Sequence, residues 1–132
     1  MDVRKIIPDP AKIYNILIVE DDETSYILLQ ALLEPYNCRL LYAADGNQAV
    51  SLCISHPEID LVLMDLKLPV LNGYEATRQI RAFNSDIPII AQTAYALSGD
   101  NEKAFAAGCN NYITKPIKKE ELVDKISLYL DI

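Results

Sequence analysis

No apolar run in this 132-residue chain approaches the ~20 residues needed to cross a bilayer. The opening stretch MDVRKIIPDP has no hydrophobic core of the kind a secretion signal requires. Both absences lead to the expectation of a cytoplasmic chain without membrane contact. Basic residues are few, 12 Lys and Arg against 19 Asp and Glu, for a net charge of −7. Such a surface repels phosphates overall, which disfavours direct binding to nucleic acid or to an anionic membrane. Cysteine is scarce, and the three present (Cys38, Cys53, Cys109) are odd in number and lack metal-ligand spacing. Cys38 opens a predicted strand and Cys53 lies on the apolar face of a predicted helix, so they read as reduced, partly buried thiols. The single histidine, His56, follows a predicted helix and precedes Pro57, which places it at the surface. Internal repeats and low-complexity tracts are missing as well.

The chain is long enough for one domain with a real core. Residues 1–14 read as an extension or linker, because Pro8 and Pro10 disfavour regular structure. The domain proper is expected over 15–132. Short apolar runs recur there: ILIV (16–19), CRLLYA (38–43), LVLM (61–64), IPIIAQ (87–92) and NYIT (111–114). Most lack a period of two, as expected of strands covered on both faces. Helical patterns lie between them. The segment 24–34 carries Ile27, Leu28, Ala31 and Leu32 on one predicted stripe and stops before Pro35. Asp45 with Gln48, and Asn72 with Glu75, have capping-box spacing ahead of two further helices. The first of these is expected to bury Ala49, Leu52 and Cys53, and the second Ala76, Ile80 and Phe83. A fourth helix, 98–107, ends at Gly108, and a fifth, 118–130, is expected to bury Leu122, Val123, Ile126 and Leu130. Strands alternating with helices imply right-handed crossovers and a parallel α/β sheet between two helical layers.

In open sheets of this kind ligands bind beyond the carboxyl ends of the strands. The residues there are Glu20 and Asp21 after the first strand, Asp65 after the third, Thr93 after the fourth and Lys115 after the fifth. Two like charges ~4 Å apart repel by roughly 1–4 kcal/mol at intermediate dielectric, so three acids need neutralising. One lysine cannot do this, but a divalent cation together with Lys115 can. Oxygen ligands from a few carboxylates suit Mg2+, which also binds phosphate. A hydroxyl and an ammonium beside the metal can hold the oxygens of a phosphoryl group, and a carboxylate can be the nucleophile that accepts it. Asp65 fits best as nucleophile, standing at a strand tip before a turn. Each signal has an ordinary reading too. Asp22 reads as a helix N-cap, Glu20 and Asp21 alone fit capping or solvation equally well, and Lys115 before Pro116 fits a turn. It is their conjunction at successive strand ends that carries weight.

These stretches (ILIVEDDE, DLVLMDLKLPVLNGYEATRQIR, IPIIAQTAYA and AAGCNNYITKPI) resemble, in order and spacing, the receiver domain of two-component response regulators over about residues 15–130. The resemblance implies a flavodoxin-like doubly wound (βα)5 sandwich with strand order 2-1-3-4-5. It implies that Asp65 is the phosphoacceptor and that Glu20, Asp21, Asp65 and the backbone carbonyl of Lys67 hold Mg2+. Thr93 would be the hydroxyl that moves to the phosphoryl group, Lys115 the cation that pairs with it, and Tyr112 the aromatic switch residue. A cis Lys115–Pro116 bond is implied too. The donor would be a phosphohistidine on a histidine kinase or histidine phosphotransfer domain. The output would be a switched surface of the fourth helix, fifth strand and fifth helix, through which a homodimer can form. Gly73 is expected to allow close packing where the third helix starts. The pattern departs at Leu68 and Leu71, where methionine is common, and at Lys67 and Tyr95, which are expected to tune the lifetime of the phosphoryl-aspartate.

Two rival readings follow from the same residues. A metal-dependent phosphohydrolase would use an Asp-x-Asp pair, but the residue two past Asp65 is Lys67. A degenerate receiver acting only as an interaction module would have lost some of the acids, Thr93 or Lys115, and all are present. The sequence therefore favours a phosphoacceptor with self-phosphotransfer and autodephosphorylation but no other enzymatic turnover. Such a chain is either a single-domain regulator or the receiver segment of a larger protein. The linker-like start and the end at Ile132 resemble the C-terminal receiver of a hybrid histidine kinase, the context favoured here.

Overall fold

A computed structural model describes residues 12–94 and 99–132. Ten elements alternate: β1 (Tyr14–Val19), α1 (Glu23–Leu33), β2 (Cys38–Ala43), α2 (Gly46–Ser55), β3 (Leu61–Asp65), α3 (Gly73–Phe83), β4 (Ile89–Thr93), α4 (Asp100–Ala107), β5 (Asn111–Thr114) and α5 (Lys119–Ser127). The strands form one parallel sheet in the order β2-β1-β3-β4-β5. This is the flavodoxin-like strand order that the resemblance implied. Of the expected N-terminal extension, residues 1–11 lie outside the described residues, and β1 starts at Tyr14.

Side chains alternate across each strand, so the sheet fills two cores. Leu17, Val19, Val62, Met64, Ile89 and Ala91 meet Ala49 and Cys53 of α2, Ala76 and Ile80 of α3 and Ala104 of α4. Ile16, Ile18, Leu61, Leu63, Ile90 and Ile113 face the other way, against Leu29 and Leu33 of α1 and Leu122 and Ile126 of α5. Burial on both faces is why β1, β3 and β4 read as unbroken apolar runs.

Capping follows the sequence closely. Asp22 caps α1, its carboxylate accepting from the Ser25 amide at 3.2 Å. Asp45 accepts from Gln48 N–H at 2.8 Å, and the Gln48 side chain reaches back to Ala44 N–H at 2.9 Å. Asn72 accepts from Glu75 N–H at 3.0 Å. Gly108 ends α4 with φ 117°, a left-handed conformation open to glycine.

Two expected core faces are corrected. In α1 the buried residues are Leu29 and Leu33, whereas Ile27 and Leu28 are 53% and 43% exposed. The helix is apolar around most of its girth, so periodicity offers several stripes, and contact with the sheet selects the one an i, i+4 step apart. Phe83 is 47% exposed, because α3 ends there and the ring lines an open groove with Ile54 and Pro57. His56 lies at the surface as expected, its Nδ1 2.8 Å from Glu58 Oε1.

Candidate functional site

Register explains how distant acids become neighbours. Val19 pairs with Met64, which sets Glu20 beside Asp65 at the carboxyl edge. Asp65 pairs with Gln92 and Thr93 with Thr114, so the next residue, Lys115, leaves β5 at the same edge. The Lys115 side chain folds back over the strand tips, its Nζ donating to Glu20 Oε2 at 2.9 Å and to Asp65 Oδ2 at 3.0 Å. The Lys115–Pro116 bond is cis, as the resemblance implied.

The remaining carboxylate oxygens are held as well. Asp22 N–H donates to Glu20 Oε1 at 3.2 Å, and Lys67 N–H donates to Asp65 Oδ1 at 3.0 Å. Glu20 is 1% exposed and Asp65 6%, while Asp21 is exposed. Oxygens of Glu20, Asp21 and Asp65 all lie within 4.8 Å of one another. Burial pushes the Glu20 carboxyl up to about 7, with the Asp65 charge adding to the effect and Lys115 opposing it. Burial disfavours the Lys115 ammonium, but its hydrogen bond to Glu20 and the attraction of Asp65 outweigh this and raise its pKa. Three carboxylates against one ammonium leave negative charge in excess. The donor set is all oxygen, compact and reachable on the Asp21 side, which fits a small hard divalent cation.

Thr93 is buried at the end of β4, and its hydroxyl donates to Asp100 Oδ2 at 3.1 Å. Asp100, the first residue of α4, also accepts from the Tyr74 hydroxyl of α3 at 3.0 Å. Sequence reasoning missed Asp100 and Tyr74, since a carboxylate seven positions past a strand end carries no periodic or motif signal. Tyr112 stands away from the acids, its ring edge-on to Phe105 at 6.0 Å and 5.5 Å from Lys125 Nζ. The side chain of Lys67 is exposed, and Tyr95 lies outside the described residues. Gly73 is where expected: a Cβ there would collide with the Asp65 carbonyl oxygen. Gln92, beside Asp65, is wholly buried, and among the described residues its amide nitrogen and oxygen have no hydrogen-bond partner.

The sequence profile of the response regulator receiver domain matches residues 16–127. The autoinducer 2 sensor kinase/phosphatase LuxQ of Vibrio vulnificus is 37% identical over 124 residues, covering 90% of this chain but only 14% of LuxQ. The polar-differentiation response regulator DivK of Brucella anthropi is 36% identical over 118 residues, 88% of this chain and 95% of DivK. Among solved structures, the receiver domain of the sensor histidine kinase PA1611 from Pseudomonas aeruginosa, with magnesium in its active-site cleft, superposes with a TM-score of 0.83. It is 41% identical and covers 92% of this chain and all (100%) of that one. The receiver domain of Ssk1 from Saccharomyces cerevisiae, crystallised with the histidine phosphotransfer protein Ypd1, gives 0.82 at 34% identity over 88% of each chain.

Proposed function

This chain belongs to the response regulator receiver family and is a phosphoacceptor signalling domain of a two-component system, and from that premise we propose how its residues divide the work. Asp65 is the acceptor. One of its carboxylate oxygens attacks the phosphorus of a phosphohistidine on a histidine kinase or phosphotransfer domain. The new O–P bond forms as the P–N bond breaks, and the imidazole leaves with the electron pair. The carrying observation is the placement of Asp65: nearly buried, at the tip of the middle strand, with one oxygen on Lys115 and the other on the Lys67 amide.

Lys115 holds a positive charge where phosphoryl oxygens arrive and keeps Glu20 and Asp65 together before they do. The carboxylates of Glu20, Asp21 and Asp65, with the Lys67 carbonyl, would hold Mg2+. That ion, when bound, supplies the positive charge that lets an anionic acceptor approach an anionic donor. The Thr93 hydroxyl then bonds the phosphoryl group, and Tyr112 follows into the space vacated. The result is a changed α4–β5–α5 surface, the face available for a homodimer or another output partner. Autodephosphorylation by water is the only turnover. Among the described residues no helix is long and apolar enough to cross a membrane. The chain spans a small part of LuxQ, and that likeness, with PA1611, supports a receiver within a hybrid histidine kinase, for which the cytoplasm is the proposed location.

Intact-mass measurement after incubation with acetyl phosphate and Mg2+ tests the assignment. The wild type should gain a single phosphoryl adduct that EDTA prevents, and Asp65→Asn should gain none. An equal adduct on Asp65→Asn would move the acceptor elsewhere.

A further inference from the structure

The contact made by Thr93 before any phosphoryl group arrives points to a residue outside the set above. A threonine hydroxyl has one proton to donate, and here it goes to the carboxylate of Asp100, which can only accept. Donation to a phosphoryl oxygen therefore requires that this bond be given up. Asp100 is in turn fixed by the Tyr74 hydroxyl of α3 at 3.0 Å. Tyr74 packs against the core under α2, α3 and α4 and holds the second oxygen of the carboxylate, the one Thr93 does not use. Burial, helped by the hydrogen bond to the Asp100 carboxylate, pushes the Tyr74 phenol up to about 12, so it remains a donor at any physiological pH.

We propose that Asp100 is a positioning residue that latches the Thr93 hydroxyl away from the phosphoryl site, so that phosphorylation at Asp65 and release of the α4 N-terminus are one exchange of a single hydrogen bond. The inference rests on the reading of Asp65 as acceptor. The exchange acts on the output surface directly. Asp100 is the first residue of α4, and Phe105 on the same helix meets the Tyr112 ring. Loss of the Thr93 bond removes a tie between β4 and the start of α4, and any shift of α4 is felt at Tyr112 through Phe105. After release Tyr74 still donates to Asp100 Oδ1, and Asp100 is half-buried, so water can reach the freed Oδ2.

The test is affinity for beryllofluoride, a phosphoryl mimic, in saturating Mg2+, followed by amide chemical shifts in the full chain. Asp100→Ala removes the competitor for the Thr93 proton and should bind the mimic about tenfold more tightly, the worth of one hydrogen bond to a charged group. Its affinity for Mg2+ alone should be unchanged, because Asp100 is not among the clustered acids. Tyr74→Phe, which loosens the anchor without removing the latch, should shift affinity in the same direction by less. In a Thr93→Ala background the Asp100→Ala effect should vanish. An equal gain in that background would assign it to relief of charge repulsion and overturn the latch. Unchanged affinity of folded Asp100→Ala, with wild type binding normally, would overturn it too. A wild type that takes no beryllofluoride would instead overturn the phosphoacceptor assignment on which the latch rests.

Discussion

At the residue scale the site is a set of compromises among neighbours that are individually unfavourable. Glu20 and Asp65 are both buried and share one lysine, and the exposed Asp21 adds a third carboxylate within reach. Gln92 is unlike them, since it is buried beside Asp65 in the sheet and its amide has no partner among the described residues. An unpaired buried amide costs about 1–3 kcal/mol, so Gln92→Leu, close in size and apolar, should raise unfolding stability by about that amount. A urea titration reads this directly, and a midpoint equal to or below wild type would mean that Gln92 is paired in solution. The five residues proposed from the strand ends were legible because each is chemically conspicuous where an apolar run stops. Asp100 and Tyr74 were not, because a hydrogen bond between side chains on three different elements leaves no trace in spacing.

At the scale of elements, the loop between β3 and α3 is where the backbone departs from local rules. Val70 has φ 67° and is 79% exposed, a left-handed conformation for a β-branched residue. That conformation costs roughly 1–2 kcal/mol, partly offset in a glycine variant by about 0.5–1 kcal/mol of extra chain entropy. Val70→Gly should therefore gain up to about 1 kcal/mol. Gly73, three residues on, answers a different need, since a methyl group there would strike the Asp65 carbonyl oxygen. Gly73→Ala should lose about 1–3 kcal/mol and slow adduct formation at Asp65, both measurable on one preparation. If Gly73→Ala matched wild type in stability and rate, the close approach of α3 to the acceptor strand would be without consequence. Helix starts were legible because Asp22, Asp45 and Asn72 cap by side-chain chemistry that is local in sequence. The buried face of α1 was not legible, because Tyr26, Ile27, Leu28, Leu29, Leu32 and Leu33 supply apolar groups on nearly every side.

At the scale of the whole molecule, a chain of net charge −7 concentrates three acids at one sheet edge, and their mutual repulsion is set against the cohesion of both cores. A divalent cation that binds only the folded state must then stabilise it by mass action, by about 2.7 kcal/mol at a hundredfold excess over the dissociation constant. Mg2+ should raise the Tm of the wild type, and EDTA should reverse the rise. Asp21→Asn should abolish most of the rise while leaving the metal-free protein as stable or more so, because Asp21 is exposed and loses only repulsion. A rise of equal size in Asp21→Asn would remove Asp21 from the metal site.

The sequence by itself determined the alternation of strands and helices, the helix caps and the conspicuous residues at strand ends, all of which depend on neighbours a few positions apart. Tertiary structure decided the rest. It selected which stripe of α1 is buried, left Phe83 at the surface, and used sheet register to bring Glu20, Asp65 and Lys115 within hydrogen-bond reach across 95 positions of chain. It also bound the hydroxyls of Thr93 and Tyr74 to the two oxygens of the Asp100 carboxylate. Such contacts depend on the packing of whole elements, which local patterning constrains but does not specify.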